Sequence, residues 1–411
     1  MKTELSMTIN SKNIRMDISM ISFEAARALL LDSAIAFDRE DMISLEESLG
    51  CIVNKNITSD IDMPPFNKSA MDGYACRMED IDTPLSIIET IPAGYKPQKT
   101  IGPRQCAKIM TGGVVPHGAD CVVMIEHTEL KDSSVQVIKK RENRNICFRG
   151  EDIRAGDIVL QKGTRIGPAH IAVLASVGCD PVPVSRKPVF CVIATGNELV
   201  EPKSTPSDAQ IRNSNSHQLR AQIKKAGGKA VYSGIASDSP EAIGAMMDTH
   251  LDDTDIFLLS GGVSMGTYDY VPAVLREKGF TLLFEQVAIK PGKPTVFGKK
   301  DNKYVFGMPG NPVSTYLIFE LLVRPFFCKL MGGNHTPQVF NAESADTIKR
   351  KKADRREFIP VLIQKDGAVS KVSYHGSAHI HALTSANGYI TFPIGVTEIK
   401  AGEVVAVTVL Q

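Results

Sequence analysis

Tryptophan is absent from the 411-residue chain and only nine tyrosines occur. Stacking on aromatic side chains is poorly provided for, which argues against a platform for single-stranded nucleic acid. Neither sign of charge is in excess: 47 Lys and Arg face 46 Asp and Glu. With a net charge of +1, no bulk field draws the chain to nucleic acid or to an anionic membrane, so any anion site has to be local. No apolar run approaches the roughly 20 residues that span a bilayer. The first residues lack the basic-then-apolar pattern of a signal peptide. The eight cysteines include no C-x-x-C pair, which argues against a structural zinc site. Several sit in apolar runs such as VFCVIA, as buried reduced thiols of a cytoplasmic protein do. His375, His379 and His381 cluster in sequence but lack H-E-x-x-H spacing, and neither a G-x-S-x-G elbow nor a Walker A loop is present.

What is present divides into several parts, as a chain of this length requires. Residues 1–18 are polar and aperiodic and read as a flexible tail. Residues 19–57 and 153–186 read as a helical and linker region. A helix is expected over 21–37 with Ser22 as N-cap, and a short one over 44–49, where Ser44 and Glu47 have capping-box spacing. A third is expected between Pro168 and Gly178. Residues 58–152 hold short β-rich runs broken by Gly and Pro (LSIIETI, CVVMIEH), the pattern of an inserted β module. Residues 187–335 alternate strand and helix. Runs such as VFCVIA and DIFLLS are apolar on both faces, which predicts a doubly wound, mostly parallel sheet. LLFEQVAI reads as one of its strands, and MPGNPVS opens a long apolar helix to about Met331. Residues 336–411 return to short strands (FIPVLI, YITFPI, VVAVTVLQ) and read as a C-terminal β-barrel-like domain. The fold class is multidomain, α/β and β.

The stretch SGGVSMGTYDY (260–270) carries the most chemistry. A strand, a glycine loop and a helix start in that order make an anion seat, because glycine lets backbone N–H groups approach a phosphate. Asp269 in the same loop points to a metal ion beside that phosphate. In a doubly wound sheet ligands bind beyond the carboxyl ends of the strands. Those ends carry Thr195, Gly196, Asn197 and Glu198; Asp238; Ser260, Gly261, Gly262, Ser264, Gly266 and Asp269; Lys290 and Lys293 of KPGKP; and Pro309 to Pro312 of PGNP. Lysines and glycine N–H groups suit an oxyanion, and the acids suit a hard divalent cation held partly through water. Each has a plainer reading: Gly-Gly as a turn, Lys290 as a solvated charge, Glu198 as compensation for a helix N-terminus, Asp238 as an N-cap. Their gathering on successive strand ends favours a site. In the β module, Asp72 of MDGYA reads as a turn residue and Thr111 precedes Gly-Gly. Arg149, Glu151 and Asp152 read as a local ion pair.

MPPFNKSAMDGYA, IMTGGVVPHGADCVVMIEHT, RGEDIRAGD, ATGNELV, SGGVSMGTYDYV, AIKPGKPTVFG and GMPGNPVSTY, in this order, resemble the motifs of the molybdopterin molybdenumtransferase family, which comprises bacterial MoeA and the E domain of gephyrin. The resemblance implies insertion of molybdate into adenylyl-molybdopterin with release of AMP, a need for Mg2+, and a cytoplasmic homodimer. The site would lie in a cleft between subunits, one subunit's β module facing the partner's α/β domain. Partners would be a molybdopterin adenylyltransferase and apo-molybdoenzymes, with neither nucleic acid nor membrane. Residue by residue, it implies catalytic roles for Asp72, Asp152, Glu198, Asp238 and Asp269, the last three as metal ligands. It implies substrate contacts for Thr111, Arg149, Lys290, Lys293, Pro309, Pro312, Arg355 and Ser377, beside the loop residues Thr195, Ser260, Gly261, Gly262, Ser264 and Gly266. Thr267 stands where many relatives have an acid, and Cys147 and Phe148 precede Arg149 in place of basic residues. Three other readings stay open: an adenylyltransferase acting one step earlier, a non-catalytic scaffold, and a nucleotide-processing hydrolase.

Overall fold

The computed structural model describes residues 20–140, 142–264, 266, 269–374 and 376–410. The tail expected over 1–18 lies outside them, as do Thr267 and His375. The chain forms two compact units, dividing between Asp41 and Met42 and again between Val184 and Ser185. Among the described residues no helix is long and apolar enough to cross a membrane.

The first unit is organised by a six-stranded sheet. Its strands are β1 (Val189–Thr195), β2 (Lys229–Ala236), β3 (Ile256–Ser260), β4 (Thr281–Phe284), β5 (Val296–Lys300) and β6 (Lys303–Met308). In space they run β2-β1-β3-β6-β5-β4. The pairs β2–β1, β1–β3 and β3–β6 are parallel, and β5 is antiparallel to both of its neighbours. Every residue of β3 is buried, because helices cover both faces of the sheet; that is why its sequence is a continuous apolar run and not an alternation. On one face Cys191, Ile193, Phe257 and Leu259 pack with Ile243 and Met247 of helix α2 (Pro240–Thr249) and Val274 and Leu275 of α3 (Val271–Glu277). On the other, Phe190 meets Phe327 edge-on, and Phe297, Tyr304, Phe306 and Phe326 form an aromatic cluster with centroid separations of 4.7 to 6.4 Å.

Register decides where the loops emerge. Ala194 lies opposite Ser260, and Ser260 opposite Met308. The carboxyl ends of β1, β3 and β6 are therefore side by side, and their loops rise from one edge. The chain also reverses its winding here, since β1 has β2 on one side and β3 on the other; that is the crevice where α/β sheets bind ligands.

Two expected elements are interrupted. LLFEQVAI is not one strand. β4 stops at Phe284, Glu285 turns out to pair with Arg276, and Ile289–Lys290 joins a different sheet, parallel to Arg356–Glu357. Ile21 holds the departing segment, its N–H on the Gln286 carbonyl and its carbonyl on the Ala288 N–H. The long helix is α4 (Pro312–Ile318), then a wide π turn over Phe319–Val323, then a further helix, Arg324–Leu330. Pro325 has no N–H for the carbonyl four residues back, which is where a helix ladder yields. The first helix is shorter than expected, Phe23–Ser33, with the Ser22 hydroxyl accepting the Ala25 N–H at 3.1 Å. The C-terminal sheet adds Val339–Glu343, Arg356–Ile363, Gly388–Phe392 and Val404–Val409 around Val361, Ile390, Phe392 and Val407.

The second unit contains a six-stranded sheet in the order Cys121–Met124, Gly73–Cys76, Gln105–Ile109, Leu85–Ile91, Ser134–Val137, Thr128–Lys131. A Cβ on Gly73 would fall 2.0 Å from the Val123 carbonyl oxygen, so only glycine lets the strand after Asp72 approach its neighbour. Of the eight cysteines, Cys147 and Cys179 alone are half-exposed; the rest are buried thiols.

The aromatic cluster dominates one face of the sheet, and Phe297 is fully buried in it. Phe297→Ala is expected to cost about 3–5 kcal/mol, read by urea unfolding followed through tyrosine fluorescence and near-ultraviolet circular dichroism.

Candidate functional site

The aligned strand ends open into a cleft of about 690 Å³. Its floor is built from glycine positions that no other residue could occupy. Gly261 and Gly262 have φ of +101° and +61°. A Cβ on Gly261 would lie 2.5 Å from the Thr195 carbonyl oxygen, and one on Gly262 2.9 Å from the Thr195 hydroxyl. The loop after β3 thus rests on the end of β1. Gly196, at φ +149°, leaves room for Glu198: a Cβ there would meet its carboxylate at 2.5 Å. Thr195 itself is 3% exposed, and its hydroxyl oxygen has no partner.

Glu198, Asp238 and Asp269 all line this cleft. Glu198 does not compensate a helix, because the chain runs from it into the short strand Leu199–Val200, paired with Ile211–Arg212. Nor is Asp238 a helix cap. Ser239 caps α2, accepting the Ala242 N–H at 3.2 Å, while Asp238 accepts the Asn197 N–H at 3.0 Å and gives its own N–H to the Asn197 side chain. Asp269 accepts the Gly266 N–H at 2.6 Å and so closes the glycine loop. Expected as a metal set, the three acids share the cleft without converging. Among the described residues no three His, Cys, Asp or Glu stand close enough to hold a metal ion. Asp238 and Asp269 each commit one oxygen to a backbone N–H and keep the other.

Ser260, Ser264, Pro309 and Pro312 line the same cleft. The Thr315 hydroxyl donates to the Pro309 carbonyl at 2.6 Å and fixes the turn into α4. Asn311 donates to the Ser377 hydroxyl at 2.8 Å, and the Ser377 carbonyl accepts the Val313 N–H. Ser377 thereby joins the C-terminal loop to the rim, where Ala378 and Ile380 are lining residues.

The lysines are placed elsewhere. Lys290 and Lys293 are exposed but are not part of the cleft lining. Lys290 reaches Glu357 of the C-terminal sheet at 2.8 Å. Glu357 is 5% exposed, and Arg350 lies 3.7 Å from its other oxygen. The expectation that Lys290 ends a strand of the α/β sheet fails because its segment leaves that sheet at Glu285. Arg355 is outside the lining too, donating to the Ile289 carbonyl at 3.3 Å. Sequence reasoning missed Arg212, Asn213 and Asn215, which line the cleft before and at the start of helix α1 (Asn215–Ala226). The signal was IRNSNS, whose polar residues read only as a helix cap.

In the second unit Asp72 and Thr111 form one group. A single Asp72 oxygen accepts the Thr111 N–H at 2.6 Å and the Thr111 hydroxyl at 2.7 Å. First the hydroxyl and then the amide hold the Asp72 carboxyl below its ordinary value of 3.8. Arg149, Glu151 and Asp152 do not pair among themselves. Arg149 binds Asp62 at 2.6 Å, and Glu151 accepts the Phe148 N–H at 2.7 Å. The Ala155 N–H and the Arg149 side chain hold the Asp62 carboxyl low in turn. Asp152 is exposed, with its own N–H on the Met63 carbonyl.

Comparison with known proteins covers nearly the whole chain. Residues 21–178 match the MoeA N-terminal region (domains I and II), 191–329 a probable molybdopterin-binding domain, and 342–410 the MoeA C-terminal region (domain IV). A molybdopterin molybdenumtransferase of Staphylococcus epidermidis is 36% identical over 385 residues, covering 90% of this chain and 91% of its own. One from Bacillus subtilis is 35% identical over 387 residues, 90% of each. The crystal structure of a molybdopterin biosynthesis moeA protein from Pyrococcus horikoshii superposes with a TM-score of 0.84 at 29% identity, covering 95% of this chain and 100% of its own.

The Asp72–Thr111 group makes a titration prediction. A carboxyl with a lowered folded-state value favours folding fully above its unfolded value and loses that contribution only as pH falls through the folded one. The pair should therefore be intact at neutral pH and weaken only below about pH 4. Thr111→Val removes the hydroxyl and keeps the amide. The Asp72 carboxyl should then titrate at higher pH, closer to 3.8, as read by carboxyl 13C NMR.

Proposed function

We propose, given that the chain belongs to the MoeA family, that it inserts molybdate into adenylyl-molybdopterin, releases AMP and yields molybdenum cofactor. The observation that carries this reading is the cleft at the strand ends, where a left-handed glycine loop and three carboxylates face one space. The backbone N–H groups of a loop without Cβ atoms can approach a phosphate closely, and three acids beside it would repel that phosphate unless a cation stood between them.

The acids fit Mg2+ in the manner usual for that ion, which keeps waters and takes one or two carboxylates together with substrate phosphates. The free oxygens of Asp238 and Asp269 and the Glu198 carboxylate are the candidates, and the ion would supply charge neutralisation at the phosphate oxygens. The rest falls to the chain. The loop Ser260 to Gly266 seats the phosphoanhydride, with the Thr195 hydroxyl available below it. Pro309 and Pro312 stiffen the neighbouring turn without competing N–H groups. A molybdate oxygen attacks the AMP phosphorus of the anhydride, and the molybdopterin phosphate leaves, so that AMP is carried on molybdate. The two dithiolene sulfurs then displace two oxygens at molybdenum: one departs on AMP, the other as water with the two thiol protons. Lys290, Lys293, Arg149 and Arg355 are the cations assigned to the incoming dianion. Lys290 would exchange its partner Glu357 for the oxyanion.

The active unit is a homodimer in which Asp72, with Thr111 and Asp152, serves the cleft of a second copy. Ile61, Phe66, Met71 and Phe148 are exposed large apolar side chains in the segments around Asp72, as a surface that is covered in use would have them. Asp72 would orient the attacking nucleophile. The reaction is assigned to the cytoplasm, fed by a molybdopterin adenylyltransferase and drained by apo-molybdoenzymes.

Two experiments test this. Anaerobic incubation with adenylyl-molybdopterin, molybdate and Mg2+ should release AMP stoichiometrically with molybdenum bound to the pterin, and chelation of Mg2+ should stop it. No AMP above the protein-free control would overturn the assignment. Asp72→Ala and Asp238→Ala should each be inactive yet folded. If each site takes Asp72 from one copy and Asp238 from the other, mixing the two after subunit exchange should restore roughly a quarter of the activity. A mixture as inactive as its parts would rule out the shared site.

A further inference from the structure

Asn215 is the first residue of helix α1, one past the N-cap Ser214, and its side chain reaches away from its own helix. Its amide nitrogen donates to the Ser260 hydroxyl at 2.8 Å and to the Gly310 carbonyl at 2.7 Å. Ser260 ends β3 and opens the glycine loop; Gly310 sits in the PGNP turn after β6. One amide group thus ties together two neighbouring loops of the cleft. The orientation of the amide is fixed by chemistry, since a carbonyl such as that of Gly310 can only accept. Both N–H bonds are then in use and the side-chain oxygen is left over, buried and without a partner. The Thr195 hydroxyl is in the same state one strand away. Gly310 has room to be drawn in: a Cβ added to it would lie 3.9 Å from the Gly261 Cα, so the two loops meet at glycines and nothing but backbone separates them.

We propose that Asn215 is a positioning residue, the clasp that sets the spacing between the Gly261–Gly262 loop and the PGNP turn and so holds in place the part of the cleft lining that seats the substrate phosphates. Neither loop can set that spacing by side-chain packing, because both approach through glycine. The start of α1 is capped without it, the Asn213 side chain accepting the Ser216 N–H at 3.2 Å, so the Asn215 amide is left to the two loops. The unfilled oxygen of Asn215 and the Thr195 hydroxyl remain for an N–H or O–H of the bound ligand or for a water that accompanies it. The substrate part of this inference rests on the activity proposed above; the clasp itself does not.

Asn215→Asp separates the two. It keeps the size of the side chain and puts a negative group at a helix N-terminus, where it favours the helix. It also sets an oxygen against the Gly310 carbonyl and removes the donor. The full-length variant should unfold at the same temperature as the parent. Hydrogen–deuterium exchange should quicken at least tenfold in peptides covering 260–264 and 309–311 and stay unchanged in β1, β3 and β6. KM for adenylyl-molybdopterin should rise at least tenfold while kcat falls by less than threefold, because what is lost is the seat of the bound phosphates. Asn215→Ala, which carries no charge, should do the same and guards against a purely electrostatic effect of the aspartate. Exchange unchanged in both loops would overturn the clasp whatever the activity. Faster exchange with an unaltered KM would leave a structural bond only and overturn the positioning role. Absence of AMP release by the parent protein would sink the proposed activity, with the exchange result still deciding the clasp.

Discussion

Everything at the cleft depends on the register of three parallel strands. With Ala194 opposite Ser260 and Ser260 opposite Met308, three loops are delivered to one line. A slip of one residue in any pairing would exchange the side chains fitted to one covered face of β1 or β3 with those fitted to the other. The register is held because both strands are apolar on both faces, packed against α2 and α3 on one side and the phenylalanine cluster on the other. The core is thus not a separate achievement from the site. It is what makes a two-residue glycine step at 261 and 262 land on Thr195 and nowhere else.

The sequence made the strand ends legible, and the reason is physical. Continuous apolar runs identify strands covered on both faces, and polar glycine-rich residues after each run identify their exits. Thr195, Glu198, Asp238, Ser260, Asp269, Pro309 and Pro312 were recognisable because they come directly after such runs, and the structure places all seven around one space. Where a run was broken internally, the reading failed. LLFEQVAI has enough apolar residues for one strand, but Glu285 and Gln286 in its middle send the chain to another sheet, and Lys290 goes with it. Asn215 failed for the opposite reason. A polar residue at a helix start has a sufficient local explanation, and its actual partners, Ser260 and Gly310, are 45 and 95 residues away. Similarly, the pairing of Arg149 with Asp62 spans 87 residues, so neighbours in sequence suggested an ion pair with the wrong partners.

The acids show how local context divides residues of one type. Asp238 and Asp269 both accept a backbone N–H and are thereby aimed, not freed; the Glu198 carboxylate lies close against Gly196. Asp72 accepts two donors from Thr111. None of the four forms an ion pair among the described residues. Of the four, Asp72 is held below its ordinary value by its Thr111 donors.

Neither lysine expected at the site lines the cleft with Glu198, Asp238 and Asp269; the cation among the described lining residues is Arg212, whose Nε donates to the Pro202 and Ser204 carbonyls. Lys290 is instead held by Glu357, itself nearly buried and shared with Arg350. A carboxylate so placed is costly to leave unpaired, and both the Lys290 ammonium group and Arg350 stand beside it. The chain as a whole is close to neutral, yet its charges are locally separated: Lys290 is held on a carboxylate of the C-terminal sheet, while Glu198, Asp238 and Asp269 line the cleft without an ion-pair partner among the described residues.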